Sequence, residues 1–328
     1  MRLIFMGTAP FACLTLQGLL TSSHQVVAVV TQPDRPRGRG QKAEVSAVKA
    51  LALEHQLPIL QPVSLRPAAV VASLAAYRVD AIVVVAYGNL LPPAVLALPP
   101  YGCINVHASL LPYYRGAAPV HWALLHGETL TGATIMQMDA HLDTGPILWQ
   151  ETCAIAPDDD AIVLGTRLAA IGARGLLHVL AALEQGALTA QPQPESGASY
   201  APKLTRELGR LDWQQSAVTL HNLVRGLVPW PGATTRWRGT PVKLWRTHVH
   251  AVAPEAAPGT VTTVTPAGLY VACGTQQLCL HELQPANRRR MTAHEFAQGY
   301  RVQPGEHFEQ DNDAPQCASD RPAHTPHA

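Results

Sequence analysis

Asn105 and His107 stand one residue apart in the run Asn105-Val106-His107-Ala108-Ser109-Leu110-Leu111-Pro112. Asp143 follows 31 residues after Pro112, in Met138-Asp139-Ala140-His141-Leu142-Asp143-Thr144-Gly145. An amide and an imidazole can each donate a hydrogen bond to an oxygen that gains negative charge as a tetrahedral centre forms, and a carboxylate can hold the imidazole in the state that donates. The set suits acyl transfer. Singly, a strand-end Asn, a core His and a turn Asp before glycine are commonplace, so the combination carries the reading.

Positioning such groups requires a scaffold, and the first half of the chain describes one. Leu3-Ile4-Phe5, Val26 to Val30, Ala81 to Val85 and Cys103 to Val106 read as buried strands, and 11–21, 43–55, 67–77 and 160–185 as helices. The alternation predicts an α/β fold with a mostly parallel, Rossmann-like sheet covered on both faces. Ligands of such sheets sit outside the carboxyl ends of strands, where Asn105 and His107 fall.

Near 190–199 the chain reads Ala-Gln-Pro-Gln-Pro-Glu-Ser-Gly-Ala-Ser, which builds no core and suits a linker. We therefore expect a catalytic domain over 1–187, a linker over 188–204, a second domain over 205–304 and a disordered tail over 305–328. In the second domain a helical stretch near 214–227 precedes short apolar runs at Val242–Trp245, Gly259–Val261, Leu269–Cys273 and Leu278–Leu280. Runs of that length between Gly and Pro turns predict a small OB-like β-barrel, with Trp213, Trp230, Trp237 and Trp245 in its core or turns.

The chain has 328 residues, 47% of them hydrophobic, enough for two cores. Its formal net charge of +1 hides a segregation: residues 1–187 carry 11 Lys and Arg against 12 acids, whereas 200–304 carry 12 against five. A basic second domain points to a polyanionic partner such as nucleic acid. Six scattered cysteines without a CxxC pair fit reduced thiols in the cytoplasm. The apolar start is cut short by Gly7-Thr8-Ala9-Pro10, unlike an export signal, and no uninterrupted apolar run suggests a membrane span.

Longer strings add a resemblance. Phe5-Met6-Gly7-Thr8, the loop Thr31-Gln32-Pro33-Asp34-Arg35-Pro36-Arg37-Gly38-Arg39-Gly40, Val85-Ala86-Tyr87-Gly88, the segment Asn105–Pro112, Tyr114-Arg115-Gly116-Ala117-Ala118-Pro119, Gly132 to Asp139, Tyr200-Ala201-Pro202-Lys203-Leu204, Pro229-Trp230-Pro231-Gly232, Pro241-Val242-Lys243 and Arg288-Arg289-Arg290-Met291 together resemble the formyltetrahydrofolate-dependent transferases. The second domain and the Arg-rich loop resemble the branch whose acceptor is methionyl initiator tRNA. The resemblance implies 10-formyltetrahydrofolate as formyl donor, no metal, and Asn105, His107 and Asp143 as the catalytic trio. It also implies folate contacts from Val85, Ala86, Tyr87, Gly88, Ser109, Leu110, Leu111 and Pro112, with backbone groups of 109–112 on the pterin. Arg35, Arg37, Arg39, Lys42, Lys203, Lys243, Arg288, Arg289 and Arg290 become candidates for tRNA contact. A monomer without membrane attachment is expected. One departure is Gly7-Thr8-Ala9-Pro10-Phe11-Ala12, where proline stands one place later than in the family, still acceptable in the first turn of a helix.

Rival readings fare worse. A dinucleotide-dependent dehydrogenase would need GxGxxG in the first strand-to-helix turn, where only Gly7 stands. A metal hydrolase lacks HExxH and tight ligand spacing among the 15 histidines. A non-catalytic RNA-binding module leaves the trio without a purpose. Within the same chemistry, acceptors such as an amino-sugar nucleotide or glycinamide ribonucleotide would not call for a basic barrel.

Overall fold

A computed structural model describes residues 1–37 and 42–309. The chain divides into two compact units, one of 1–119, 130–154 and 165–201, the other of 120–129, 155–164 and the residues from 202 onward.

The first unit is built on a seven-stranded sheet. Strands β1 (Arg2–Gly7), β2 (Gln25–Val30), β5 (Ile59–Leu60), β6 (Ala81–Val85) and β7 (Cys103–His107) run parallel, and β9 (Leu130–Gln137) and β10 (Ile147–Ala154) extend one edge antiparallel. The spatial order is β10-β9-β7-β6-β1-β2-β5. The hairpin β3 (Arg35–Arg37) and β4 (Lys42–Glu44) stands outside the sheet, and β8 (Arg115–Gly116) pairs with β11 (Tyr200–Ala201). Successive residues of the central strands enter opposite cores. Leu3, Phe5, Val83, Val85, Ile104 and Val106 face one, and Ile4, Met6, Ile82, Val84 and Cys103 the other. Burial on both faces is why these strands read as unbroken apolar runs.

Helices α1 (Cys13–Leu20), α2 (Ala47–Glu54), α3 (Ala68–Ala75) and α4 (Pro93–Leu96) cover the sheet. Pro10 opens a 3-10 turn over Pro10–Ala12 that leads into α1, so the displaced proline occupies a first-turn position that needs no N–H donor. Helix α6 (Ala161–Glu184) is long and apolar enough to cross a membrane by composition. Leu168, Leu176, Val179 and Leu180 are nevertheless buried along it, as in a core helix.

In the second unit α5 (Pro119–Leu125) and α7 (Ala217–Gly226) accompany an antiparallel sheet ordered β12-β13-β16-β15-β14. These are Ala233–Trp237, Thr240–His250, Gln277–Pro285, Gly268–Ala272 and Val261–Thr265, with β17 (Met291–Thr292) beside β16. Helix α8 (Ala293–Tyr300) starts in a capping box of Thr292 and Glu295.

The disordered tail expected from Gly305 needs correction over 305–309. Glu309 bridges to Arg236 on β12 and His307 bridges to Thr260, beside the start of β14, so this short segment joins the two edge strands and closes the barrel. Phe308 is 2% exposed, and its ring centroid lies 4.7 Å from that of Trp237 and 5.7 Å from that of Trp213. The buried ring and these backbone bridges together anchor the segment. The rest of the expected tail, 310–328, lies outside the described residues.

Trp213 and Trp237 fill the barrel core as expected. Trp230 lies in the turn over 228–231, 52% exposed, and Trp245 is half-buried with Lys243 Nζ 4.3 Å and Arg290 Cζ 4.7 Å from its ring centroid. These two indoles therefore lie outside the core, one of them under cations.

Candidate active site

Strand β7 ends at His107 between parallel β6 and antiparallel β9, with Asn105 opposite Val84 and Met136, and His107 opposite Thr134. Adjacent parallel strands send their carboxyl ends to one edge. The turns after β1, β6 and β7 and the loop after β2 thus share the side where this class of sheet takes ligands. Asn105 and His107 are 8% and 5% exposed.

Asp143 reaches this edge by a less direct path. Gln137, at the end of β9, pairs with Ile104, on the amino side of His107, so the 138–146 loop doubles back along the sheet. Asp139 braces it by accepting from Thr144 Oγ1 at 2.8 Å and from the His141 N–H at 3.0 Å. Gly145 is required here, because a Cβ would lie 1.9 Å from the Gln137 carbonyl oxygen. Asp143 itself takes φ +54°, a left-handed conformation that a non-glycine residue holds only when its surroundings fix it.

The three expected catalytic residues converge as follows. Asp143 Oδ2 lies 3.7 Å from His107 Nδ1 and accepts the Gly116 N–H at 2.8 Å. His107 Nε2 lies 2.9 Å from the Tyr114 carbonyl oxygen. Both ring nitrogens therefore face oxygen atoms that can accept. Asn105 belongs to the same strand end, two residues back and on the same face.

The Ser109–Pro112 loop is held from within. Thr134 Oγ1 donates to the Ser109 carbonyl at 2.6 Å and accepts the Leu111 N–H at 3.1 Å, while Gln150 Nε2 donates to the Leu111 carbonyl at 2.9 Å. Ser109 Oγ donates to the Tyr113 carbonyl at 2.6 Å. Several of the backbone groups expected to meet a pterin are thus structural, and the loop forms a rigid wall with Leu110 partly exposed on it. Gly132 makes room for that leucine, since a Cβ there would come within 2.4 Å of Leu110 Cδ2.

After β6 the other expected folate contacts separate. Val85 and Tyr87 bury their side chains in the two cores. Ala86 and Gly88, at φ +46° and +89°, are exposed instead.

For the basic residues the picture is mixed. Arg39 lies outside the described residues, and Arg35, Arg37 and Lys42 are placed on the β3–β4 hairpin by backbone alone. Its root is fixed by Asp34, which Lys49 and Gln61 hold by hydrogen bonds that pull its carboxyl below the usual range. Lys203 and Arg288 are exposed. Lys243 Nζ donates to the Pro229 carbonyl at 2.7 Å, and burial lowers its pKa. Arg289 and Arg290 are exposed and pair with Glu295 and Glu282 at 2.7 and 2.5 Å, so part of their charge is offset within the second unit. Residues that the sequence did not single out, among them Gly116, Thr134, Gln150 and Gln193, prove to hold the site.

Known proteins resemble this chain over both halves. A family model described as formyl transferase matches residues 1–180, and one described as formyl transferase, C-terminal domain, matches 203–301. The chain is 49% identical over 299 residues to the methionyl-tRNA formyltransferase of Trichlorobacter lovleyi, covering 91% of this chain and 94% of that protein. It is 47% identical to the enzyme of the same name from Geobacter metallireducens, covering 93% and 97%. In fold it is similar to HypX from Aquifex aeolicus in complex with tetrahydrofolic acid, at TM-score 0.62 and 17% identity, over 92% of this chain and 47% of that longer one. It is also similar to WlaRD, a sugar 3N-formyl transferase, at TM-score 0.63 and 17% identity, over 88% and 99%.

Proposed function

The chain belongs to the formyl transferase family, and we propose that it transfers a formyl group from 10-formyltetrahydrofolate to the α-amino group of methionine esterified to initiator tRNA. The observation that carries the choice of acceptor is the 49% identity over 91% of the chain to a methionyl-tRNA formyltransferase, extending through the basic second domain. The reaction serves translation initiation and belongs in the cytoplasm, where charged tRNA is used.

The amine attacks the formyl carbon, a C–N bond forms, and the carbonyl oxygen becomes an oxyanion. The bond from that carbon to N10 of the folate then breaks, N10 takes up one proton, and the former ammonium has lost two, one before it attacks and one that balances the proton gained by N10. No covalent bond to the protein is needed. The Asn105 amide donates to the oxyanion, and a donor already in place in a dry site contributes most when charge develops. His107 joins it by sharing or exchanging the Tyr114 carbonyl for the substrate oxygen. Asp143 faces His107 and tunes it, and it helps the incoming ammonium lose its first proton, directly or through water. The Gly116 N–H engages Oδ2 and leaves Asp143 its other oxygen for that proton.

Folate fits the carboxyl edge of the sheet: the exposed residues Ala86 and Gly88 face a pterin, and Leu110 supplies apolar wall beside it. The donor brings an activated formyl group, and the protein's part is to hold it against the amine. Arg35, Arg37, Arg39 and Lys42, on the loop leaving the same edge, reach the acceptor end of the tRNA. Lys203, Lys243 and Arg288 to Arg290 serve the backbone farther along it. Phosphate neutralisation of this kind provides affinity without sequence choice. The chain acts as a monomer.

Labelled formyl transfer to a panel of acceptors tests this reading: initiator methionyl-tRNA, elongator methionyl-tRNA, free methionine and a dTDP-linked amino sugar. Selective labelling of the initiator is expected. Labelling of the amino sugar in its place would overturn the acceptor while keeping the family.

A further inference from the structure

Gln193 lies in the segment expected to be a passive linker, yet it is attached to the catalytic loop. Its Nε2 donates to the Asp143 carbonyl at 2.9 Å and to the Gly145 carbonyl at 2.7 Å, stapling the residues on either side of Thr144. Its Oε1 accepts from Arg115 Nε at 3.1 Å. The amide can be read in one orientation only, since the guanidinium offers donors alone and the two carbonyls accept alone. Arg115 is 2% exposed and Nη2 has no hydrogen-bond partner, so the buried cation depends on Gln193 for an acceptor.

The surrounding chain keeps Gln193 in place. Gln191 exchanges both backbone hydrogen bonds with Ile147, at 2.7 and 2.8 Å, just past the catalytic loop. Tyr200 and Ala201 pair with Arg115 and Gly116, and Gly116 is the residue whose N–H holds Asp143 Oδ2. One short segment therefore grips Asp143 from two sides, its backbone carbonyl through Gln193 and its carboxylate through β8. The left-handed backbone of Asp143 needs such a grip, because an aspartate released from it relaxes toward a more populated conformation and carries the carboxylate away from His107.

We propose that Gln193 is a positioning residue for the formyl transfer, acting through Asp143 by fixing the backbone of the 143–145 turn. The proposal rests on the reading of Asp143 as catalytic.

The test is Gln193→Glu, alone and in an Asp143→Ala background, with kcat, KM for folate and for charged tRNA, and melting temperature measured. Glutamate keeps an acceptor for Arg115 but loses both donors to the turn. Expected are a kcat lower by roughly 10–100-fold, KM values within about twofold, an unchanged or higher melting temperature, and no further loss when Asp143 is already alanine. Near-normal kcat in Gln193→Glu, with Asp143→Ala crippled, would overturn the proposal and leave Gln193 as Arg115's acceptor only. A loss that multiplies in the Asp143→Ala background would overturn it too. Near-normal kcat in Asp143→Ala would instead remove the underlying reading of Asp143. Should Gln193→Glu fail to fold, Gln193→Met carries the same pair of comparisons.

Discussion

The Gly116 N–H donates to Asp143 Oδ2 at 2.8 Å, the same oxygen that lies 3.7 Å from His107 Nδ1. A backbone donor thus sets the distance at which the carboxylate faces the imidazole. Gly116 sits at φ +122°, and a Cβ there would approach the Ala201 carbonyl oxygen to 2.7 Å. Gly116→Ala should push β8 and β11 apart, move Asp143, and lower kcat by roughly 10–100-fold with smaller changes in either KM. Steady-state kinetics against both substrates checks this, and an unchanged kcat would detach Gly116 from the site.

The expected oxyanion donor is tested by Asn105→Ala. Loss of one preorganised donor costs about 10²–10³ in kcat. Folate binding followed by fluorescence should stay within a few fold of the unaltered protein. A variant that loses folate binding and activity in equal measure would make Asn105 a folate contact instead.

Lys203 is exposed just past the β11 strand, and its charge is expected to meet a phosphate. Lys203→Ala should raise KM for methionyl-tRNA severalfold, leave kcat alone, and reduce the slope of log KM against log salt by about one. An unchanged slope would place Lys203 outside the tRNA footprint.

Burial pushes the His121 imidazole below its ordinary value of 6.5, with the Gly226 carbonyl acting the other way at 2.7 Å from Nδ1. The folded protein then refuses a proton that the unfolded chain accepts. Stability is lost as pH falls below 6.5 toward the depressed folded value and is unaffected above it. Thermal melting of His121→Gln should show a shallower decline across that window than the unaltered chain, and parallel curves would contradict the assignment.

Phe308 closes the barrel from beyond the expected domain boundary. Phe308→Ala should cost about 3–5 kcal/mol of stability, and a chain ended at 304 should lose the barrel's cooperative melting transition. Unaltered melting in either case would return 305–309 to the status of a tail.

Much of this was legible in the sequence, for a physical reason in each case. The central strands announced themselves because both faces are buried, and Asn105 and His107 could be placed at a strand end because Cys103 to Val106 form such a run. The contacts that tune the site were hidden. Gly116 meets Asp143 across 27 residues from a two-residue strand and Gln193 meets it across 50 from an irregular segment, both too short for a periodicity to mark a partner. Phe308 stood alone among polar residues, so composition argued for disorder where that ring's burial and the backbone bridges decided otherwise. Trp245 misled in the opposite sense, since the size of an indole does not reveal whether cations or a core will cover it.

The most direct measurement of the central claim is single-turnover formyl transfer by Asp143→Asn, with folate donor and charged initiator tRNA both saturating. The carboxamide preserves shape and the acceptor for the Gly116 N–H but cannot take up a proton. The account predicts a rate lower by about 10²–10⁴ with tRNA and folate affinities preserved. A rate near that of the unaltered protein would show that the formyl group moves without Asp143, and the trio built on it would fall.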